Sequence, residues 1–389
     1  MTSRSRIALY SHDTVGLGHT RRNLALATAL TAADPSTDVI MITGNPECAL
    51  LPIPPRTDIV TLPTIAKDAA GYRPRVLGGE LDEVLAIRSD VITGALKGFR
   101  PQLLIADKVA DGVHGELLPG LQLVRQRFGT RTVLGLREIL DAPAVVRREW
   151  QRNHTGRLIA DHYDEVWIYG DRAVIDPAAE YGWGAEMATK VSYTGYLGHR
   201  PRLPQRGLID VAPPASPYVL CQVGGGQDGV ELATAFAGAE LPPGHRGVIV
   251  TGPYLPAESR DRLRRIAGPN TDVHDFVGNP EDLIAGAAAV VSMAGYNSVT
   301  ELLSSPAPTL LVPRVVPRTE QLIRAERLAD LECADLLHPA LLTRQRISTW
   351  LAGAVHAPTP AGRAVLDLNG LDRVGEFADR LIGGTEHAA

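Results

Sequence analysis

The chain alternates short apolar runs with stretches in which apolar residues recur every three or four positions. That second spacing is typical of helices packed on a sheet. Regular alternation of strands and helices favours parallel sheets covered on both faces. The pattern therefore predicts an α/β protein built from doubly wound parallel sheets. Its strands are expected at 6–11, 39–43, 58–63, 102–107, 132–140, 163–169, 191–202, 218–223, 247–253, 271–278, 287–291 and 309–312.

One stretch interrupts the alternation and divides the chain. Residues 199–217 are dense in Pro and Arg and lack apolar periodicity, as expected for a linker between domains. A chain of 389 residues also suits two domains better than one core. We predict an amino-terminal domain over 1–198, a linker over 199–217 and a carboxyl-terminal domain over 218–365. The segment 366–389 should contain a terminal amphipathic helix at 370–384.

Two strand–loop–helix units near the carboxyl end carry polar residues where parallel sheets bind ligands. Gly295 lets the backbone approach a ligand, and Ser298 lies at a helix start that favours a phosphate. Glu301, one turn further on, can accept both hydroxyls of a ribose. Glu320 and Gln321, at the start of the next helix, can hold the hydroxyls of a hexose. The alternative is that Ser298 and Glu301 only cap and open their helix.

A glycine-rich loop follows the predicted strand at 218–223. It contains Gly224, Gly225 and Gly226, and Gln227 comes next. Consecutive glycines at the mouth of a helix expose backbone N–H groups, which suits a pyrophosphate. A tight turn without a ligand is the alternative. Phosphate, ribose and hexose contacts together indicate a nucleotide sugar.

The first strand leads into a second glycine loop, with Gly16, Gly18 and then His19. A dinucleotide-binding enzyme is a weaker interpretation, because the G-x-G-x-x-G spacing is absent and no acidic residue ends the second strand. We interpret the loop as one wall of a cleft between the domains. An imidazole suits proton abstraction at neutral pH, so His19 is a candidate general base. A histidine that caps or salt-bridges the helix start is the alternative.

Charged residues at other points of the amino-terminal half are candidates for contact with the second substrate. Some end predicted strands, where α/β sites lie, although structural ion pairs explain them equally well. Others lie at the start of the first helix, or in the stretch 63–79, which we predict to be a loop over this site. Together with Gly18 of the glycine loop, the acceptor set comprises Arg21, Arg73, Arg75, Asp107, Lys108 and Arg137.

The succession of apolar strand, glycine turn, S-x-x-E helix, proline-ended strand and acidic-Gln helix start resembles a known family. It is similar to the nucleotide-binding half of GT-B glycosyltransferases, especially the MurG-type N-acetylglucosaminyltransferases. The resemblance implies two Rossmann-like domains facing a cleft, with His19 as base, Gln227 at the pyrophosphate, and Phe276 and Val277 at the uracil. The family often has Gln where Glu320 stands. The residues that carry the resemblance are Gly295, Ser298, Glu301, Pro313, Glu320 and Gln321.

The resemblance implies transfer of a hexose, N-acetylglucosamine or a related sugar, from a UDP-sugar to a small-molecule or lipid-like acceptor. Because no Asp-x-Asp motif occurs in the chain, we expect no metal ion, and we expect no cofactor beyond the UDP-sugar co-substrate. Attack from the face opposite the leaving nucleotide predicts inversion. Two alternatives stay open: a hydrolysing UDP-sugar 2-epimerase of the same fold, and a sugar-nucleotide-binding protein without activity.

Composition and charge limit which partners and which cellular compartment are expected for this protein. A net charge of −5 gives no general attraction to nucleic acid or anionic membranes, so at most peripheral membrane contact is expected. The cysteines, Cys48, Cys221 and Cys333, are too far apart to indicate disulfides or a zinc site. No apolar run is long enough for a membrane span, and the first residues lack the apolar core of a signal peptide. We therefore expect a cytoplasmic protein.

Overall fold

The computed structural model describes residues 4–13, 16–68, 71–198, 211–225, 228–277 and 280–386. The amino-terminal half forms a seven-stranded sheet, whose neighbouring strands all pair in parallel, in the order β3-β2-β1-β6-β7-β8-β9. A two-stranded antiparallel hairpin, β4-β5, lies outside this sheet. The strands are β1 Arg6–Ser11, β2 Asp38–Thr43, β3 Thr57–Thr61, β4 Ile65–Asp68, β5 Gly71–Pro74, β6 Leu103–Asp107, β7 Arg131–Arg137, β8 Glu165–Tyr169 and β9 Val191–Tyr193.

Helices connect these strands and cover the sheet. The first of them begins immediately after the glycine loop that follows β1, so its amino end lies at the carboxyl edge of the sheet. The helices are α1 Gly18–Ala33, α2 Leu81–Phe99, α3 Leu118–Phe128, α4 Pro143–Arg152, α5 Thr155–His162, α6 Pro177–Glu180 and α7 Ala185–Ala188.

The carboxyl-terminal half forms a second parallel sheet of six strands, in the order β12-β11-β10-β13-β14-β15. Its strands are β10 Tyr218–Gln222, β11 Arg246–Val250, β12 Thr271–His274, β13 Ala289–Ser292, β14 Thr309–Leu311 and β15 Asp335–Leu336. Its helices are α8 Val230–Ala237, α9 Ala257–Ile266, α10 Pro280–Gly286, α11 Tyr296–Leu303, α12 Glu320–Asp330 and α13 Arg344–Ala354, followed by α14 Gly370–Glu386. The predicted fold class, two doubly wound parallel sheets, is confirmed.

Burial explains why the central strands are apolar without alternation. Every residue of β6 and of β10 is buried, because helices cover both faces of each sheet. In α11, the predicted inward residues Val299, Leu302 and Leu303 are all buried. The core is also continuous between the halves: the rings of Tyr196 and Tyr296 stack with their centroids 6.1 Å apart.

The last helix, α14, packs against the first sheet's side of the molecule. Phe377 lies against the Trp167 ring, with centroids 5.7 Å apart, and Arg380 pairs with Glu165 at 2.8 Å. The chain therefore crosses from the second sheet back to the first. Among the described residues, no helix is both long and apolar enough to cross a membrane.

Several predicted segments differ from the structure. The strands predicted over 247–253 and 271–278 end at Val250 and His274, and β15 was not predicted. The stretch 63–79, expected to be a loop, contains the β4-β5 hairpin, because buried Ile65 anchors it against Val84 and Leu85 of α2. The strand expected over 132–140 ends at Arg137, and the one over 191–202 ends at Tyr193. In the predicted linker, 199–210 lie outside the described residues and 211–217 form no helix or strand.

Candidate donor and acceptor cleft

A cleft of about 280 Å³ lies between the two sheets, at the carboxyl ends of their strands. Residues from both halves line it, as expected for α/β folds that bind ligands at this edge. From the predicted donor set it is lined by Gly224, Gly225, Phe276, Val277, Gly295, Ser298, Glu301, Glu320 and Gln321, and from the predicted acceptor set by Gly18, Arg21 and Arg137.

The mouth of α11 and the loop after β10 meet on the carboxyl-terminal wall. Gly295 precedes α11 and provides no side-chain cap, so the first N–H groups of that helix are available to a ligand. The loop after β10 lies beside them, since a Cβ placed on Gly224 (φ 63°) would be 3.7 Å from Ser298 Oγ. Gly252 lets the chain after β11 approach this loop, because a Cβ there would overlap the backbone of Gly224 and Gly225. The arrangement presents converging N–H donors, which suit an anion.

Glu301 is 7% exposed, and its carboxylate faces a cation from the other domain. Arg21 Nη1 lies 3.7 Å from Glu301 Oε1, and the Arg21 guanidinium is 5.8 Å from the Phe276 ring centroid. Sequence reasoning placed Arg21 with the acceptor residues. The structure places its side chain beside the donor set instead, because α1 begins directly opposite α11. Asn297 Nδ2 donates to the Gly18 carbonyl across that gap at 3.0 Å.

Arg314, which sequence reasoning missed, organises the predicted hexose contacts. Its guanidinium donates to Glu320 Oε1 at 2.6 Å and to Asp228 at 2.9 Å. Its backbone N–H donates to Gln321 Oε1 at 3.2 Å. Arg314 follows Pro313 at the end of β14, so the strand-end rule that selected Asp107 and Arg137 also selects it.

Several polar atoms in the cleft are buried without a hydrogen-bond partner. They include Gln222 Nε2, Glu320 Oε2 and Arg314 Nε on the carboxyl-terminal wall, and Arg137 Nε on the amino-terminal wall. Gln222 and Glu320 are only 5% and 4% exposed. Buried polar groups are normally satisfied, so orphans that gather in one cleft indicate the place of a polar ligand. Their chemistry calls for a ligand with both acceptors and donors.

On the amino-terminal side, His19 Nδ1 lies 2.6 Å from Asp107 Oδ2. Arg22 holds the same carboxylate, with Nη2 2.6 Å from Oδ2 and Nε 3.1 Å from Oδ1. Burial opposes ionisation of Asp107, but the charges of Arg22 and His19 outweigh it and hold its pKa below the usual range. Arg22 Nη2 also lies 3.0 Å from His19 Nδ1. In the tautomer whose Nδ1–H donates to ionised Asp107, Nε2 is the acceptor. His19 and Asp107 lie just behind the lining residue Gly18.

His12 and Asp13 also belong to this wall and were missed. The His12 ring lies 5.1 Å from the His19 ring, and His12 is buried with an unpartnered Nδ1. Burial first, and then the neighbouring His19, lower the pKa of His12 well below its usual value, so it is neutral at pH 7. Asp13 accepts from Ser11 Oγ and Thr43 Oγ1, both at 2.5 Å. Both residues directly follow β1, where the strand-end rule would have found them.

The structure does not bring the remaining predicted residues into the lining. Lys108 follows β6 behind it, and Arg73 and Arg75 lie on or beside the hairpin, with Arg75 3.5 Å from Glu47. Gly226 and Gln227 lie outside the described residues. Within the described part of the chain, no three His, Cys, Asp or Glu side chains are grouped to hold a metal ion.

Glu138, which the sequence places beside Arg137 at a strand end, points elsewhere. It forms a fully buried ion pair with Arg324 of α12, with Arg324 Nε 2.5 Å from Oε1, and also accepts from Tyr196 Oη. Similar pairs extend along the same seam. They join Arg318 to Asp141 and Glu149, and Arg327 to Glu180. For Glu138, the structural ion pair is therefore the correct interpretation.

Comparison with known proteins identifies the architecture. The solved structure of CalG4, the calicheamicin glycosyltransferase, matches 98% of this chain and 99% of its own at a TM-score of 0.61 and 16% identity. MurG of Acinetobacter baumannii matches 97% of this chain and 99% of its own, at 0.59 and 14%. The chain has the GT-B glycosyltransferase fold. The strand-end cleft described above is thus the cleft between the two GT-B domains.

Similarity in sequence extends over a much shorter part of the chain than similarity in structure. A UDP-N-acetylglucosamine--N-acetylmuramyl-(pentapeptide) pyrophosphoryl-undecaprenol N-acetylglucosamine transferase from Leuconostoc mesenteroides is 33% identical over 96 residues. That match spans 24% of this chain and about a quarter, 26%, of the relative. No model of a known protein family matches the chain. The predicted GT-B fold and the resemblance to MurG-type enzymes are confirmed.

Proposed function

We propose that this GT-B protein is an inverting glycosyltransferase that moves a hexose, N-acetylglucosamine or a related sugar, from a UDP-sugar to a small-molecule or lipid-like acceptor. It needs no metal ion and no cofactor besides the UDP-sugar co-substrate. The observation that carries the proposal is the His19–Asp107 contact of 2.6 Å, one residue from the point where Gly18 touches α11. A candidate base therefore lies next to the wall of the candidate donor cleft.

The donor is assigned from the chemistry of the carboxyl-terminal wall. The diphosphate lies at the mouth of α11, beside Gly224 and Ser298, where backbone N–H groups neutralise the leaving charge. Glu301 accepts the ribose hydroxyls, and the backbone near Phe276 pairs with the uracil. Glu320 holds the sugar through its unpartnered oxygen, while Arg314 fixes the other.

The amino-terminal wall supplies the proton acceptor. His19 Nε2 takes the proton of the acceptor hydroxyl or amine as that group attacks the anomeric carbon. The new bond to the acceptor forms while the bond from that carbon to the diphosphate oxygen breaks, and the electron pair leaves with UDP. Asp107 orients the imidazole and stabilises the imidazolium that forms. Attack from the face opposite UDP inverts the anomeric configuration.

Binding of UDP and UDP-N-acetylglucosamine, followed by thermal unfolding and calorimetry, tests the donor assignment. A ligand at about 100 times its Kd stabilises the protein by about 2.7 kcal/mol. Glu301→Ala should weaken UDP binding by about 1.5 to 3 kcal/mol, because a charged hydrogen-bond acceptor is lost. Glu258→Ala, on the exposed face of α9, is the matched control. Unchanged UDP affinity in Glu301→Ala would remove the donor site from this wall.

Incubation with donor alone separates transfer from epimerisation. We expect slow hydrolysis at most without an acceptor, and an inverted product by NMR when an acceptor is supplied. Rapid interconversion of the sugar without acceptor would favour the 2-epimerase, and a retained configuration would exclude His19 as the base of a single displacement.

A further inference from the structure

Two cations emerge side by side from the amino-terminal sheet. Arg137 ends β7, and Lys108 directly follows β6, the neighbouring strand, whose Asp107 is in register with Gly135. The Lys108 N–H donates to the Gly135 carbonyl at 2.8 Å, which ties the two strand ends together. Lys108 is held in the left-handed region (φ 72°), a conformation that non-glycine residues rarely adopt and that clusters at functional sites.

Neither cation has an acidic partner among the residues that the structure describes. The carboxylates acting on them are each held by another arginine, Asp107 by Arg22 and Glu320 by Arg314. Arg137 lines the cleft, and its Nε is buried without an acceptor. Nearby Glu138 is likewise taken, by Arg324.

The titration of the two side chains agrees with uncompensated charge. Burial and then the Arg137 and Arg318 charges lower the pKa of Lys108 to about 7. Burial and then the Arg324 and Arg22 charges lower the pKa of Arg137 to about 10. In contrast, Glu138 raises the pKa of Arg324 although burial opposes its charge. Both residues are half-buried, and a desolvated cation is costly unless it is paired, so an anionic ligand would supply the partner that this pair lacks.

We propose that Arg137, which lines the cleft, and Lys108, which follows the neighbouring strand outside the lining, form an anion-binding subsite at the amino-terminal wall, for a carboxylate or phosphate carried by the acceptor or by the transferred sugar. The inference rests on the proposed sugar transfer. Arg137 provides a planar fork that matches either anion, and Lys108 adds a point charge. The subsite is separate from the UDP diphosphate, which we assign to the helix mouths of the opposite domain.

Two pairs of substrates identify the source of the anion. Calorimetry with UDP-glucuronate and UDP-glucose tests the sugar, because these donors differ only at the carboxylate. Steady-state kinetics with phenolic acceptors, hydroxybenzoate against its methyl ester, tests the acceptor. We expect a preference of about 10-fold or more for the anionic member of one pair, since its partner leaves the cations unpaired. The same measurements are made on Arg137→Gln and Lys108→Met.

Both variants should lose the preference for the anionic member while their affinity for UDP stays within about twofold. Arg137→Lys should restore part of it. Exposed Arg262→Gln and Lys97→Met serve as matched controls. Because each variant removes an unpaired cation, its melting temperature should be unchanged or raised, which separates this role from a structural one.

Four results would overturn the subsite. Two of them are a wild-type protein that binds UDP yet prefers neither anionic partner, and variants that keep the preference. A loss of UDP affinity of 10-fold or more in Arg137→Gln would assign that residue to the nucleotide diphosphate instead. If the wild-type protein fails to bind UDP at all, the proposed function falls, and the subsite falls with it.

Discussion

Charged side chains are paired along the seam between the domains, whereas two cations at the amino-terminal wall of the cleft are unpaired in the described part of the chain. Along the seam, Arg318, Arg324 and Arg327 each have a carboxylate of the other domain within 3.1 Å. At the amino-terminal wall of the cleft, Arg137 and Lys108 have no paired carboxylate in the described structure, although they lie close to the seam. Arg137 and the seam arginines therefore differ in their surroundings, not in residue type.

This difference distinguishes charged side chains that stabilise the fold from charged side chains that are available to bind a ligand. A buried ion pair is retained only when both partners are hydrogen-bonded, as Arg324 and Glu138 are. An unpaired cation lowers stability and therefore needs another reason to persist, such as binding a substrate. The contrast predicts that changes on the seam alter stability, whereas changes on the cleft walls alter binding and turnover.

The largest expected effect is on turnover, from His19→Ala. Removal of a general base typically lowers the rate by about 10²- to 10⁴-fold. Because the residue is partly exposed beside the cleft, UDP affinity and melting temperature should change little. Transfer assays on His19→Ala, with exposed His356→Ala as control, measure this. Full activity in the variant would assign His19 to the start of α1 only.

Glu138→Gln should have the largest effect on stability. It leaves Arg324, which is 0% exposed, without its counter-charge, at a cost of about 3–5 kcal/mol. Urea unfolding of this variant, compared with exposed Glu376→Gln, measures the loss. A decrease of less than about 1 kcal/mol in the free energy of unfolding would mean that the seam tolerates unpaired charge. The contrast with the amino-terminal wall of the cleft would then disappear.

A pH effect should follow from Lys108. Its folded pKa of about 7 lies below the unfolded value of about 10.4, so the unfolded chain binds more protons between these values. Stability should therefore rise with pH from about 7 to about 10.4, and Lys108→Met should lack that part of the rise. Unfolding at several pH values compares the two proteins; identical pH profiles would contradict the expectation. The charged and titratable groups facing Lys108 are Arg137, Arg318, Asp107, Glu320 and His12.

The smallest effect is expected from Arg75→Ala. Its ion pair with Glu47, at 3.5 Å, is solvent-exposed and lies outside the cleft lining. Exposed pairs contribute about 0–1 kcal/mol, so the free energy of unfolding should hardly change. Unfolding in urea checks this. A large loss would show that the hairpin depends on the pair as the seam depends on Glu138.

Predicting the fold from the sequence worked where the signal is local. Strand and helix periodicity reflects which face of one element is buried, so β1, β6, β10 and α11 could be located from the chain alone. The β4-β5 hairpin was missed, because Ile65 is buried against α2. The residues of the hairpin itself show no periodicity that indicates this contact.

The candidate site divides in the same way. Gly224, Gly295 and Ser298 come to one place because glycine loops and helix starts follow parallel strands, a rule that operates on neighbouring residues. Arg314 and His12 obey that rule and were overlooked, so the sequence contained the signal. Whether these residues bind the proposed donor remains a prediction.

The sequence by itself determined that the chain forms two parallel sheets covered by helices, and which polar residues follow several of their strands. Only the tertiary structure decided which charges neutralise one another. Glu138 meets Arg324, 186 residues away, and His19 meets Asp107, 88 residues away. Ion pairing depends on distances of a few ångströms between side chains from separate elements, and periodicity along one element carries no information about them.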